Sequence, residues 1–245
     1  MKIAVALKQV PARDSAPGAP EADLQFEINE PDAYALEAAL QLREAQGGEV
    51  VVVTAGPPRV VTAIREALAK GADRGVHILV EDLGQLDALG VAHLLREAVV
   101  SESPDLVLTG LQSDDIGSGQ TGVILAELLG NAHATLIMAI EPQGAVVRVK
   151  RELEDGWFQY VTLPLPAVLT IQSGINKLRY ATLMGIKKAK TKEIREISGT
   201  PQPAQVTAGP GYAPSRSKQV QIFDGDPEKA ARSLAEKLKY EVRVL

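Results

Sequence analysis

Four times before residue 131 the chain repeats one pattern: a short aliphatic run, a turn, and a longer stretch with apolar residues three or four apart. The runs are residues 2–7, Glu49–Thr54, Gly75–Val80 and Asp105–Thr109. Val50 to Val53 would be apolar on both faces of a strand, as in a sheet covered by helices on each side. The stretches between them carry Tyr34, Leu36, Ala39 and Leu40, then Val60, Val61, Ile64 and Leu68, then Leu89, Ala92, His93 and Leu95, and finally Thr121–Leu129. Gly47-Gly48, Gly71 and Gly130 close three of them, where a helix C-terminus favours glycine. Strands alternating with helices must run parallel, joined by right-handed crossovers. The expected fold is α/β: a doubly wound, mostly parallel, Rossmann-like sheet.

The rhythm changes after Asn131. Strands near 134–140, 145–152, 157–163 and 167–172 follow with no helix between them, hairpin-like around Pro142-Gln143-Gly144 and Glu154-Asp155-Gly156. They are expected to extend the sheet as antiparallel strands. Trp157, Phe158 and Tyr160, at strand periodicity, read as packing residues rather than a flavin platform. Beyond Gly174 the chain turns basic, then rich in Pro and Gly from Gly199 to Pro214, and ends in an amphipathic helix over about 226–240 with Ala230, Leu234 and Leu238 as its stripe. Residues 1–173 are therefore expected to form one α/β domain. Residues 174–245 are expected to form an arm that needs another surface to lie on.

Composition excludes several classes. At 45% hydrophobic and 23% charged residues, the chain is neither disordered nor fibrous. No apolar run reaches the roughly 18–20 residues of a membrane helix, and the N-terminus is charged again at Lys8, so a cytoplasmic protein is expected. Cysteine is absent, which removes disulfides, thiolate metal sites and cysteine nucleophiles. His77, His93 and His133 are too scattered for a local metal motif and read as core or surface residues. The net charge of −5 argues against non-specific nucleic-acid binding, yet residues 174–197 hold seven cations against Glu193 and Glu196. That run suits either a solvated face or a docking surface for an acidic partner.

Ligands of such sheets bind beyond the carboxyl ends of the strands, where strand order reverses. The loops there are Ala6–Arg13, Ala55–Pro58, Glu81–Leu83 and Gly110–Gln120. The last joins a strand to a helix N-terminus, with Gly117 and Gly119 allowing close backbone approach to an anion and Ser118 and Thr121 adding hydroxyls. Residues 117–122 also satisfy Gly-x-Gly-x-x-Gly, with Glu141 downstream, but the motif sits in the fourth unit and seven residues separate it from Thr109. A mononucleotide phosphate fits best; a dinucleotide and a ligand-free glycine cap stay open. Asp114 and Asp115 would repel phosphate and should face a ribose, a metal ion or solvent. No Walker-type loop or nucleophile elbow is present.

Several separate segments then match one family. Val5-Ala6-Leu7-Lys8-Gln9-Val10-Pro11, Asn29 with Tyr34-Ala35-Leu36-Glu37-Ala38-Ala39, and Ala67-Leu68-Ala69-Lys70-Gly71-Ala72-Asp73-Arg74-Gly75 are among them. So are Asp105–Gly110, Gln120-Thr121-Gly122, Leu165–Thr170, and Leu178-Arg179-Tyr180-Ala181-Thr182-Leu183 leading to Lys187-Lys188-Ala189-Lys190. The chain resembles the beta subunit of the electron transfer flavoprotein, over about residues 2–192. The resemblance implies an electron carrier subunit without bond-making catalysis, paired with an alpha subunit that holds most of a redox-active FAD. It also implies a structural AMP on this chain and a C-terminal arm that embraces the alpha subunit. By position, the AMP contacts fall on Ala6, Asn29, Ala55 and the loop Gly110, Leu111, Gln112, Ser113, Asp114, Asp115, Ile116, Gly117, Ser118, Gly119, Gln120 and Thr121. Residues near Lys8–Arg13 could reach the flavin.

The family's dehydrogenase-recognition loop falls on Tyr180–Leu183, with Leu183 entering the partner and Arg179, Lys187 and Lys188 steering it. Acyl-CoA and other flavin dehydrogenases would donate electrons, as in fatty acid oxidation, and the electron transfer flavoprotein–quinone oxidoreductase would accept them. Many members carry Lys where this chain has Leu111, and an acidic run where it has Ile116-Gly117-Ser118-Gly119. Electron-bifurcating relatives bind a second FAD in place of AMP, usually with Gln-Val-Gly; Gln120-Thr121-Gly122 favours AMP. The alternatives are a stand-alone NAD-dependent dehydrogenase and a nucleotide-binding stress-type protein.

Overall fold

The computed structural model describes residues 1–15, 19–207, 209 and 220–244. Pro17 and Gly18 of the first turn-rich stretch, and residues 210–214 of the second, lie outside the described residues. The four expected units are all present. Strands β1 (Lys2–Ala6), β4 (Glu49–Gly56), β5 (Arg74–Leu79) and β6 (Leu106–Gly110) are followed in turn by helices α1 (Glu30–Gln46), α2 (Val61–Lys70), α3 (Ala88–Glu102) and α4 (Thr121–Leu129). Between β1 and α1, where a loop was expected, Gln9–Pro11 (β2) pairs antiparallel with Phe26–Ile28 (β3).

The main sheet has nine strands in the order β11 (Ile194–Ser198), β5, β4, β1, β6, β10 (Ala167–Ile171), β7 (Ala132–Gln143), β8 (Val146–Glu152) and β9 (Phe158–Pro164). Alternation along each strand sends neighbours to opposite layers. Ile3, Val5, Val50, Val52, Leu106 and Leu108 pack with α1 and α2. Ala4, Val51, Val53 and Val107 pack with α3 and α4. This two-sided burial is why the strands read as unbroken aliphatic runs.

Of the strands expected to be antiparallel, β8 (Val146–Glu152) and β9 (Phe158–Pro164) are so, extending outward from β7 (Ala132–Gln143). The fourth corrects the expectation. After β9 the chain returns, and β10 (Ala167–Ile171) slots between β6 and β7, parallel to both. All five of its residues are buried, as an interior parallel strand requires. Trp157, Phe158 and Tyr160 are also not packing residues: they are 74%, 43% and 52% exposed. Leu163 and Val161 face the core from β9, so Phe158 and Tyr160 face away from it on the outermost strand.

The segment after Gly174 returns to the body before any tail begins. Helix α5 (Leu183–Ala189) rests against α2, close enough that a Cβ on Gly185 would lie 2.2 Å from the Ala69 carbonyl oxygen. Strand β11 (Ile194–Ser198) then pairs parallel with β5 at the sheet's other edge. The chain accordingly divides into compact units at Met1–Thr207 and Ala208–Leu245, later than the boundary expected at residue 174. In the second unit Pro227–Lys237 forms helix α6, capped by Asp226, and none of its residues is buried.

Candidate functional site

Strand order runs outward from β1 in both directions, through β4 and β5 on one side and through β6 on the other. The loops leaving β1 and β6 therefore diverge to opposite layers, and the crevice between them is the topological switch point. Ala6 ends β1, Ala55 lies near the end of β4, and Gly110 ends β6, so three expected site positions meet at one end of the sheet. Asn29 ties the fourth element in. It is 1% exposed; its side-chain amide donates to the Gln112 carbonyl at 2.9 Å, and its carbonyl oxygen accepts from the Asp114 N–H at 2.9 Å.

One residue central to the crevice escaped the sequence reading. Asp32, in the first turn of α1, is buried, and its carboxylate accepts from the Lys8 N–H at 2.7 Å and the Gly110 N–H at 2.8 Å. It clamps the two diverging loops to one helix. Burial pushes its carboxyl up to about 7, against the opposing pull of those two N–H groups. The clamp leaves no room for a side chain at residue 110: a Cβ there would lie 2.4 Å from Asp32 Oδ1 and 2.7 Å from Pro31 Cβ. The available signal was an acid one residue after Pro31, on the face of α1 that the pattern assigns to the core.

Loop 110–120 is held from above by charge. Lys8 Nζ lies 2.6 Å from Asp115 Oδ1 and 3.2 Å from Ser113 Oγ. Burial alone would raise the Asp115 carboxyl, but these bonds hold it below the usual carboxylate range. Arg13 pairs with Glu30 and lies 3.4 Å from Asp114. The two aspartates expected to face a ribose, a metal or solvent thus face cations. Among the described residues no group of three or more His, Asp or Glu is arranged to hold a metal.

Gly117 and Gly119 adopt φ of 68° and 64°, the left-handed region that glycine enters without strain, and the Gly117 N–H closes a turn on the Ser113 carbonyl at 2.8 Å. Helix α4 starts at Thr121 with no side-chain cap on its first amides. Gly122 packs so closely on the strands that a Cβ would lie 2.6 Å from Thr109 Oγ1. Thr54 and Thr170, buried near the carboxyl ends of β4 and β10, have hydroxyls with no partner among the described residues. Ile116 at the loop tip is exposed, as are Gln112 and Ser118. Glu141 is far from a ribose role: it sits on β7 and pairs with Arg148 at 3.1 Å.

Residues 20–201 match the electron transfer flavoprotein domain family. The chain belongs to the electron transfer flavoprotein family. It is similar to the electron transfer flavoprotein subunit beta of Methylophilus methylotrophus, 41% identical over 209 residues that cover 81% of this chain and 79% of the relative. The subunit beta of Bradyrhizobium diazoefficiens is 39% identical over 216 residues, covering 85% and 86%. The mitochondrial subunit beta of Oryza sativa subsp. indica is 36% identical, with all of both chains covered. Each of these relatives is named as the beta subunit of an electron transfer flavoprotein. No helix among its described residues is long and apolar enough to cross a membrane.

Of the five expected partner-binding residues, Arg179 differs from the other four in its surroundings. Arg179 is engaged within the chain, with Glu37 at 2.7 Å and 3.0 Å and Glu44 at 2.6 Å and 3.0 Å. It anchors the loop to α1. Tyr180 and Leu183, by contrast, are 94% and 82% exposed, and Lys187 and Lys188 follow them on α5. His77, read as a core or surface residue, is buried, with Nε2 2.9 Å from the Gly56 carbonyl.

Proposed function

We propose that this beta subunit keeps an AMP permanently seated in the switch-point crevice, closes one side of an FAD held mainly by the alpha subunit, and presents the loop around Leu183 to flavin dehydrogenases. The observation that carries the nucleotide reading is the pairing of Asp114 and Asp115 with Arg13 and Lys8. It removes the repulsion those acids would exert and leaves the Ser118–Thr121 amides and the α4 N-terminus as the ready partners of a phosphate, the Gly117 N–H being taken by the Ser113 carbonyl at 2.8 Å.

In this reading Asn29 and Asp32 hold the crevice walls at fixed separation, and the loop from Gly110 to Thr121 receives the phosphate. The mononucleotide then acts as a permanent filler that stiffens both loops. The FAD supplies all of the redox chemistry when bound. This chain's residues orient it, exclude water on one side and bring dehydrogenases close, with electrons passing on toward a quinone oxidoreductase. Leu183, exposed at the start of α5, is the side chain that enters the donor protein, and Lys187 and Lys188 steer the encounter. A dinucleotide reading is disfavoured by ten residues of loop between the end of β6 and α4, where that fingerprint needs a tight turn.

The test is co-expression of the full chain with an electron transfer flavoprotein alpha subunit. A yellow heterodimer that releases one FAD on denaturation is expected. A colourless, well-folded monomer that ignores the alpha subunit would refute the assignment.

A further inference from the structure

We infer that Asp87 is a positioning residue for assembly: it ties residues 199–207 to helix α3 and so fixes the root from which the second unit engages the alpha subunit. The inference rests on the heterodimer reading proposed above.

After β11 the chain has no helix or strand up to Thr207, where the first unit ends. It is nonetheless held along its length. The Gly199 N–H donates to the Leu79 carbonyl at 3.2 Å, and a Cβ on Gly199 would lie 2.8 Å from the side chains of Ile78, Val80 and Leu94. The Gln202 carbonyl oxygen closes on α3, 3.3 Å from where a Cβ of Gly90 would stand. Farther on, the N–H groups of Gln205 and Val206 donate to Asp87 Oδ2 at 2.7 Å and 3.0 Å. Leu79 ends β5 and Asp87 immediately precedes α3, so the segment crosses the carboxyl end of the sheet, the end that also holds the crevice.

The two oxygens of Asp87 have separate tasks. Oδ1 accepts from the Gly90 N–H at 2.9 Å and caps α3, while Oδ2 holds the segment. A cap alone is met by Ser, Thr or Asn. A carboxylate does more, because both of its oxygens accept and neither carries a competing donor. These amides, Gly90 first and Gln205 next, hold the Asp87 carboxyl below the usual carboxylate range.

The second unit is one that gains from a fixed root. No residue of α6 is buried, and Val220, Ile222 and Tyr240 are exposed. A segment that binds elsewhere loses less freedom when one end is already fastened, and its effective concentration at the partner rises. Pro201 and Pro203 restrict the same stretch further.

The test is Asp87→Ser, which keeps a capping oxygen for α3 and removes the one that holds residues 205 and 206. In the free full chain, amide exchange at Gln205 and Val206 should speed up about 10-fold, with the α3 peptide within about twofold of wild type. Affinity for a tagged alpha subunit, read by sedimentation, should fall about 10-fold. A residue that serves only as a cap would be rescued by serine on both counts, and that result overturns the proposal. So does faster exchange at residues 205 and 206 with unchanged affinity, because the root would then have no part in assembly. If Asp87→Ser fails to fold, Gln205→Pro decides: it deletes one donor, leaves the cap in place and should weaken assembly about fivefold. Wild-type chain that never assembles would instead sink the heterodimer reading itself.

Discussion

Replacing Asn29 with alanine removes both halves of the bond pair that joins the start of α1 to loop 110–120. The donor to the Gln112 carbonyl and the acceptor for the Asp114 N–H are lost together, each a 2.9 Å contact. Both bonds are only partly buried, so the loss is that of the two net bonds alone, with no desolvation penalty added for the freed backbone groups. The side chain of Asn29 makes no bond to the first amides of α1, so helix capping is untouched. Two net hydrogen bonds at about 1 kcal/mol each come to about 2 kcal/mol, or about 30-fold in the opening equilibrium of the loop. Hydrogen exchange followed by mass spectrometry should show that change in the peptide covering residues 110–120, with the β5 and β11 peptides unaffected. Exchange within twofold of wild type in that peptide would show that Asn29 does not hold the loop.

Gly110→Ala forces a methyl group against Asp32 and Pro31, and should cost about 1–3 kcal/mol in thermal unfolding; an unchanged midpoint would contradict the clamp. Burial lifts the folded Asp32 carboxyl to about 7 from its ordinary 3.8, so the native state holds that proton more tightly than the unfolded chain. That contribution is fully present below about pH 4 and lost as pH rises to about 7. Asp32→Asn should flatten the urea midpoint across this window, and a wild-type slope in the variant would refute it. Arg179→Ala strands the buried Glu37 and should cost about 2 kcal/mol, whereas Leu183→Ala should change stability by less than about 0.5 kcal/mol while slowing electron transfer from dehydrogenases. Reversed results, with Leu183 structural and Arg179 dispensable, would show that the loop docks through the wrong residue.

The parallel half of the fold was legible because each strand there is covered on both faces. Runs such as Val50–Val53 have no second interpretation once glycine-closed helices flank them. The placement of β10 was not legible, since an apolar run of five gives no sign of which neighbours it pairs with, and insertion between β6 and β7 depends on where the chain turns back. Trp157, Phe158 and Tyr160 misled for a related reason: alternation separates the two faces of a strand but does not say which one is covered.

At the site, the strand-end loops and Gly117–Thr121 could be read locally from glycine spacing before a helix. Asp32 could not, because its role is to join Lys8 and Gly110, which lie 24 and 78 residues away in sequence. The same holds for Arg179, which the run of neighbouring cations made look like part of a steering patch. Its partners Glu37 and Glu44 sit on α1, more than 130 residues earlier.

The nucleotide seat is most directly tested by dialysing the purified heterodimer exhaustively, denaturing it with heat and quantifying the released small molecules by mass spectrometry. One AMP per beta subunit alongside one FAD is the predicted composition. FAD alone, or two FAD with no AMP, would mean that the crevice between β1 and β6 does not keep the ligand assigned to it.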